Sequence, residues 1–343
     1  MGHHYLITGG AGFIGSNYAD RLLARGERVT IFDNLSRAGA ARNLAWLQQK
    51  YGSSRGFSFI KGDVRDFDAV QVATEGASAI VHLAAQVAVT CSVQNPREDF
   101  EINALGTLNV LEAARLSSQK PLVIYSSTNK VYGGLEHHRV VEEATRYALA
   151  DLPDGVSESH MLDFHSPYGC SKGSADQYVR DYGRIYDIQT VVLRQSCIYG
   201  PRQFGMEDQG WLAWFMIQIM LGHPLTIFGD GKQVRDLLYI DDLMEVFDLV
   251  ICNPAGSAGE IFNVGGGLSN SLSVWTELQP ILTSLSGRRP DAHLSSWRPG
   301  DQRVFICDIN KLQRVLGWQP KISTQQGIEL LYQWITDNQS LFS

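Results

Sequence analysis

The segment YLITGGAGFIG, residues 5–15, decides how the rest of the chain is read. Tyr5, Leu6, Ile7 and Thr8 are apolar or β-prone and run directly into Gly9, Gly10, Gly12 and Gly15, after which residues 16–25 carry the amphipathic pattern of a helix. The segment therefore predicts a strand, a tight turn and a helix. An early glycine permits the turn, Gly12 lets the backbone approach a pyrophosphate, and Gly15 lets helix and strand pack closely. The phosphates would face the N–H groups of the helix end. A purely structural turn also favours glycine; the placement between strand and helix is what points to nucleotide binding.

Working outward, residues 29–32 form an apolar strand ending at Asp33, about where a dinucleotide-binding fold sets a carboxylate on the adenosine ribose. That acid favours NAD over NADP, although Asp33 could instead cap the turn in DNLSR and Arg37 could accept a 2′-phosphate. The strand at 57–60 leads to a loop in which Asp63 could hold the adenine edge. Residues 79–83 lead to Ala84 and Ala85, small enough for a flat cofactor to lie against the strand end. A helix at 97–116 precedes the strand 122–125 and its polar exit, Ser126-Ser127-Thr128-Asn129-Lys130. Strands alternating with helices predict an α/β fold with a parallel, doubly wound sheet.

Residues 133–166 break the rhythm and read as a long loop, of a length usually reserved for lids or mobile connections. His165 falls beside the candidate site and receives no role. Ser166-Pro167-Tyr168-Gly169-Cys170-Ser171-Lys172 opens a helix reaching about residue 186, with proline near its start and Tyr168 and Lys172 on one face. After a strand at 190–193 and the segment Tyr199-Gly200-Pro201-Arg202-Gln203, composition shifts toward tryptophan, glycine and arginine, which predicts a smaller second lobe. The chain is expected to return to the sheet through a helix at 240–252 and a strand at 261–264. The expected division is 1–195 with about 234–258 for the dinucleotide domain, and about 196–233 with 259–343 for the lobe.

The chain has 343 residues, 44% of them hydrophobic and 19% charged, with 29 basic against 36 acidic side chains and a formal charge of -7. That balance gives no general attraction to nucleic acid or anionic membranes, so a phosphate-bearing ligand must be met by local cations. The most apolar run, 211–221, is far shorter than the roughly 20 residues of a membrane span. No signal peptide is recognisable before the first strand, which predicts a cytoplasmic protein. Five scattered cysteines suggest neither disulfides nor a metal site. His3 and His4 are given no role.

Tyr-x-x-x-Lys alone is common on solvated helix faces. Here the glycine turn, the polar exit of the 122–125 strand and the Tyr168/Lys172 helix occur in the order a nicotinamide redox site needs. A phenol titrating near about 10 must be given positive neighbours before it accepts a proton at neutral pH. Lys172 and the nicotinamide ring of NAD are expected to provide them, with Thr128 aligning the substrate hydroxyl.

TGGAGFIG, SSTNKVYG and YGCSK together resemble the extended short-chain dehydrogenase/reductases that act on nucleotide sugars, and the likeness covers almost the whole chain. It implies a Rossmann domain, NAD as cofactor, and a homodimer or homotetramer formed through the helices at 97–116 and 169–186. It implies Thr128, Tyr168 and Lys172 as catalytic residues. Cofactor contacts would come from Gly9, Gly12, Phe13, Ile14, Gly15, Asp33, Asn34, Asp63, Val64, Leu83, Ala84, Ala85, Ser126, Tyr168 and Lys172. Substrate contacts would come from Thr128, Asn129, Arg202, Gln203, Arg235, Arg298 and Asp301, with the two arginines of GKQVRD and RPGD on the pyrophosphate. Dehydratases of this kind carry Asp-Glu where Asn129 and Lys130 stand, which disfavours dehydration. ESHMLDFHSPYGCSKG and YGPRQFGMEDQGW are most similar to the CDP-hexose 2-epimerases, implying a CDP-sugar substrate, 3-deoxy in its ring, and a transient 2-ketone. A UDP- or GDP-sugar 4-epimerase, another nucleotide-sugar oxidoreductase, and a non-catalytic NAD-sensing regulator are the alternatives.

Overall fold

The computed structural model describes residues 3–298 and 301–342. Seven strands lie parallel in one sheet, ordered β12-β8-β5-β4-β1-β2-β3. These are β1 (His4–Thr8), β2 (Arg28–Asp33), β3 (Phe57–Lys61), β4 (Ala79–His82), β5 (Leu122–Thr128), β8 (Thr190–Gln195) and β12 (Ile261–Val264). Because successive side chains alternate between faces, each central strand feeds two cores. Ile7, Ile31, Val81, Ile124 and Leu193 pack on the side of α1 (Phe13–Ala24), α2 (Ala40–Tyr51) and α9 (Ile240–Cys252). Leu6, Phe32, Ile80, Val123 and Val192 pack on the other side, which α3 (Phe67–Thr74), α6 (Gly106–Leu116) and α7 (Ser166–Ile185) cover. The helix expected at 97–116 is present, assembled from Pro96–Phe100, a π-turn at Glu101–Leu105, and α6.

The lobe is built on β11 (Val234–Tyr239). It pairs in parallel with β9 (Cys197–Tyr199) and β15 (Val304–Phe305) and antiparallel with β13 (Ser271–Ser273). Beside it, β10 (Leu225–Phe228) pairs with β14 (Ala292–Ser295). The strand expected at 261–264 does join the main sheet, although the segment boundary drawn at 259 assigned it to the lobe; β11 lies across the boundary in the opposite sense.

Residues 133–166 are not the free loop their length suggested. They hold an antiparallel hairpin of β6 (Val140–Glu142) and β7 (Tyr147–Leu149). Tyr147, Leu149 and Val156 share a core with Val234, Val304 and Phe305 of the lobe. Tyr147 Oη donates to Asp230 at 2.6 Å, and Arg146 pairs with Glu277 at 2.5 Å. The insert braces the lobe, and the sequence misled because such short strands carry little periodicity.

At the outer edge of β12 the backbone is met by side chains. Glu158 Oε1 accepts from Asn263 N at 2.8 Å, Lys311 Nζ donates to Ile261 O at 2.7 Å, and Asn263 Nδ2 donates to Val156 O at 2.7 Å. Among the described residues no helix is long and apolar enough to cross a membrane.

Candidate active site

The glycine turn carries out the separate tasks read from the sequence. Gly9 has φ +67°, and a Cβ there would stand 2.7 Å from Ala84 N; a Cβ on Gly15 would stand 2.6 Å from Gly10 Cα. Gly12 differs: an added Cβ would meet only the Gly9 carbonyl, at 3.1 Å. Nothing else among the described residues comes within 4 Å of that Cβ, which at the N-cap of α1 is the space a pyrophosphate needs. Phe13 and Ile14 turn toward the core.

Asp33, at the tip of β2, is 9% exposed, and its two oxygens accept from Ala11 N (3.0 Å) and Leu35 N (2.7 Å). Burial raises its pKa and these two N–H donors oppose the rise. The carboxylate is thereby fixed at the strand end with lone pairs to spare for a ribose. Asn34 Nδ2 donates to Asp63 at 2.9 Å. Arg65 grips the same carboxylate at 2.8 Å and holds it well below the usual range. Asp63 therefore stands beside Asn34 as half of an ion pair. Val64 buries its side chain and gives its carbonyl to Asn109 Nδ2 at 2.8 Å. Leu83 N donates to Thr8 O at 3.0 Å, which holds Ala84 beside Gly9, with Ala85 following it in the chain. These residues fit a dinucleotide laid across the strand tips.

Thr128, Tyr168 and Lys172 are brought together and buried, with Ser126 beside them. Lys172 Nζ donates to Ser126 O at 2.6 Å and lies 4.3 Å from the centre of the Tyr125 ring. Burial pulls its pKa down to about 7. Burial pushes the Tyr168 phenol up to about 12, against a hydrogen bond with Thr128, while Asp99 adds to the rise and Arg37 opposes it. Arg37, considered in the sequence only for a 2′-phosphate, thus also acts on the phenol, and Lys172 donates to a backbone carbonyl close by. Beneath them His82 links Thr8 (2.6 Å) to Thr107 (3.0 Å), and burial holds it neutral with a pKa of about 3.

Arg37 Nη2 also donates to Gln209 Oε1 at 2.5 Å. Thr90 donates to Asp208 at 2.7 Å, and Arg298 Nη1 to Glu207 O at 3.1 Å. Residues 207–209 thus tie the loop after β2, the helix after β4 and the lobe together. No local pattern in GMEDQG signals this, because the partners are more than 80 positions away.

On the lobe side Arg235 bonds Asp301 at 2.9 Å and its own neighbour Val234 O at 2.8 Å. Lys130, absent from the expected contacts, stands close enough to feel both: burial and Arg235 draw its pKa down to about 8, and Asp301 opposes them. Burial raises Cys197, and Arg235 counters it. Asn129 accepts from Thr128 Oγ1 at 3.3 Å and donates to Gln302 Oε1 at 3.5 Å. Arg298 lies over the Phe228 ring at 3.7 Å; Pro299 and Gly300 of its motif fall outside the described residues. Gln203 is buried and donates to Ile198 O at 3.2 Å. Arg202 departs from expectation. Its φ of +67° turns it toward α2, where the guanidinium stacks 3.4 Å over Trp46 instead of joining Arg235.

The sequence profile of the GDP-mannose 4,6 dehydratase family matches residues 6–331. A CDP-paratose 2-epimerase from Salmonella typhi is 46% identical over 336 residues, 96% of this chain and 98% of that protein. The UDP-glucose 4-epimerase of Thermotoga maritima, solved with UDP-glucose, superposes with a TM-score of 0.83 at 30% identity, covering 98% of this chain and 99% of that one. The dTDP-glucose 4,6-dehydratase DesIV of Streptomyces venezuelae, solved with NAD bound, does so with a TM-score of 0.83 at 30% identity over 98% of each chain.

Proposed function

This chain belongs to the extended short-chain dehydrogenase/reductase family of nucleotide-sugar epimerases and dehydratases, and on that footing we propose that it is an NAD-dependent epimerase acting at carbon 2 of a CDP-hexose. The observation that carries the reading is the 46% identity to a CDP-paratose 2-epimerase along nearly the whole of both chains. Asn129 and Lys130 support it chemically. Thr128 is followed by an amide and an ammonium, neither of which can serve as the carboxylate pair that removes water.

The residues divide the work as follows. Gly9, Gly12 and Gly15 shape the pyrophosphate cradle, and Asp33 takes the adenosine ribose and disfavours a 2′-phosphate. NAD, when bound, supplies the hydride acceptor and donor. Thr128 orients the hydroxyl on carbon 2, and Tyr168 takes its proton and later gives it back. In a 3-deoxy sugar a ketone at carbon 4 cannot acidify the hydrogen on carbon 2, so carbon 2 must itself be oxidised. The resulting planar ketone has to present its other face while the nucleotide stays held, a task that falls to Arg235 and its neighbours in the lobe.

The direct test is CDP-hexose deuterated at carbon 2, alongside UDP- and GDP-hexoses. Conversion of the CDP-sugar with the label kept in the epimer is expected. Wash-out of the label into water would replace hydride transfer with a proton-transfer route.

Arg235→Ala should weaken CDP-hexose binding by roughly 1.5–3 kcal/mol, the worth of a charged hydrogen bond, and leave NAD content unchanged. Titration of the variant with CDP-hexose measures it. An unaltered affinity would make Arg235 a structural partner of Asp301 only.

We also propose a homo-oligomer formed through α7 and the 96–116 helix. These expose Tyr178, Ile185 and Phe100, at 50%, 64% and 55%, a quantity of apolar surface that a partner would cover. Light scattering after gel filtration should give a dimer or tetramer, and Tyr178→Glu should shift it toward monomer; a monomeric parent protein contradicts the proposal.

A further inference from the structure

We infer that Gln195 is a cofactor-positioning residue whose side-chain amide hydrogen-bonds the carboxamide of the nicotinamide ring. Gln195 is the last residue of β8 and is only 6% exposed. Its Nε2 is buried and has no hydrogen-bond partner among the described residues. An amide donor left unpaired in the interior is costly, and native folds seldom leave one unless a ligand completes it.

The sheet register shows where this amide faces. Gln195 pairs with Thr128 across the parallel β5–β8 ladder, so both side chains leave the same face. The preceding pair, Ser127 and Arg194, leaves the opposite face, and both are consumed by Asp176 at 2.7 and 2.9 Å. Immediately beyond Gln195 the chain quits the main sheet. Cys197–Tyr199 pairs with β11 of the lobe instead. Gln195 thus stands at the fork between sheet and lobe, at the carboxyl ends of the strands where doubly wound folds bind their ligands.

The order of the strand tips identifies the group it meets. From β2 through β1, β4 and β5 to β8, neighbours in the sheet are about 4.8 Å apart. Their tips carry in turn Asp33, the glycine turn, Ala84, Ser126 with Thr128, and Gln195. A dinucleotide with its adenosine ribose on Asp33 and its pyrophosphate on the glycine turn delivers its nicotinamide end toward β5 and β8. A carboxamide offers one acceptor and one donor, the complement of a glutamine amide. Such a contact restrains rotation of the ring, and a reaction that takes a hydride and returns it needs one ring face presented throughout.

This inference rests on the NAD reading, and the test separates the two. NAD-loaded protein would be titrated with ADP-ribose, which lacks the nicotinamide, and the displaced NAD measured for the parent, Gln195→Leu and Gln195→Met. The methionine variant keeps the length of the side chain while removing both its donor and its acceptor, and so guards against a packing effect of leucine. ADP-ribose should displace NAD roughly five- to tenfold more readily from both variants, the worth of one hydrogen bond, with its own affinity unchanged. A displacement ratio within twofold of the parent overturns the inference, even if binding of CDP-paratose is weakened, since that result would assign the amide to the sugar. A parent protein that holds no NAD would overturn the cofactor reading itself.

Discussion

Tyr168→Phe should cut turnover of a CDP-hexose by about 10²–10⁴-fold, the usual contribution of a positioned proton-transfer group, while the purified variant keeps its full complement of NAD. The phenylalanine ring fills the same buried volume, so only the hydroxyl that meets Thr128 is lost. The sign of the pH dependence follows from the same surroundings. Burial raises the phenol to about 12, so near neutrality it is held protonated, and ionisation is favoured as pH increases. Turnover of the parent should therefore climb with pH along its acid limb, and the climb should be absent from Tyr168→Phe. Arg37→Met removes a cation that lowers the phenol's pKa and should displace that limb to higher pH. Turnover of Tyr168→Phe within tenfold of the parent would remove Tyr168 from the chemistry.

The parallel sheet and its glycine turn were legible because both are written in local order. Apolar runs, glycines at fixed offsets and an acid after the second strand lie within a few dozen residues of one another. Thr128, Tyr168 and Lys172 were legible for a related reason, as each sits at the end of a recognisable strand or the start of a helix. What escaped was produced by long-range placement. Arg37 reaches the phenol's surroundings because its loop meets residues 207–209, Lys130 comes under the influence of Arg235 only once β11 is set in the lobe, and Arg202 lies over Trp46 of α2. The 133–166 insert was misread for the same reason, since its short strands gain their stability from Val234, Val304 and Phe305, far along the chain.

Asp176→Ala should destabilise the folded protein by about 3–5 kcal/mol, the cost of leaving one member of a buried ion pair alone. Arg194 and Asp176 are 2% and 0% exposed and are joined at 2.9 Å through two guanidinium nitrogens. Ser127 adds a third donor to the carboxylate at 2.7 Å, and among the described residues Tyr132 is the remaining partner of Arg194, at 3.0 Å. In the single variant the guanidinium would stay buried with only the Tyr132 hydroxyl. Adding Arg194→Met to Asp176→Ala should recover a large part of the loss, because the stranded charge goes with it. Urea unfolding of the three proteins measures both steps. A single-variant loss under about 1 kcal/mol would mean that the pair is as dispensable as one on the surface.

The side chains set against the outer edge of β12 bear on how copies of this chain can assemble. A strand with a bare edge is a template on which a second sheet can be continued, and many proteins form fibrils or merged sheets by that route. Here Glu158 and Lys311 already hold the groups that an incoming strand would need, so continuing the sheet through β12 would first require displacing both of them. Growth by sheet fusion is thereby discouraged at this end of the sheet, and the strand stays an edge without acting as a template.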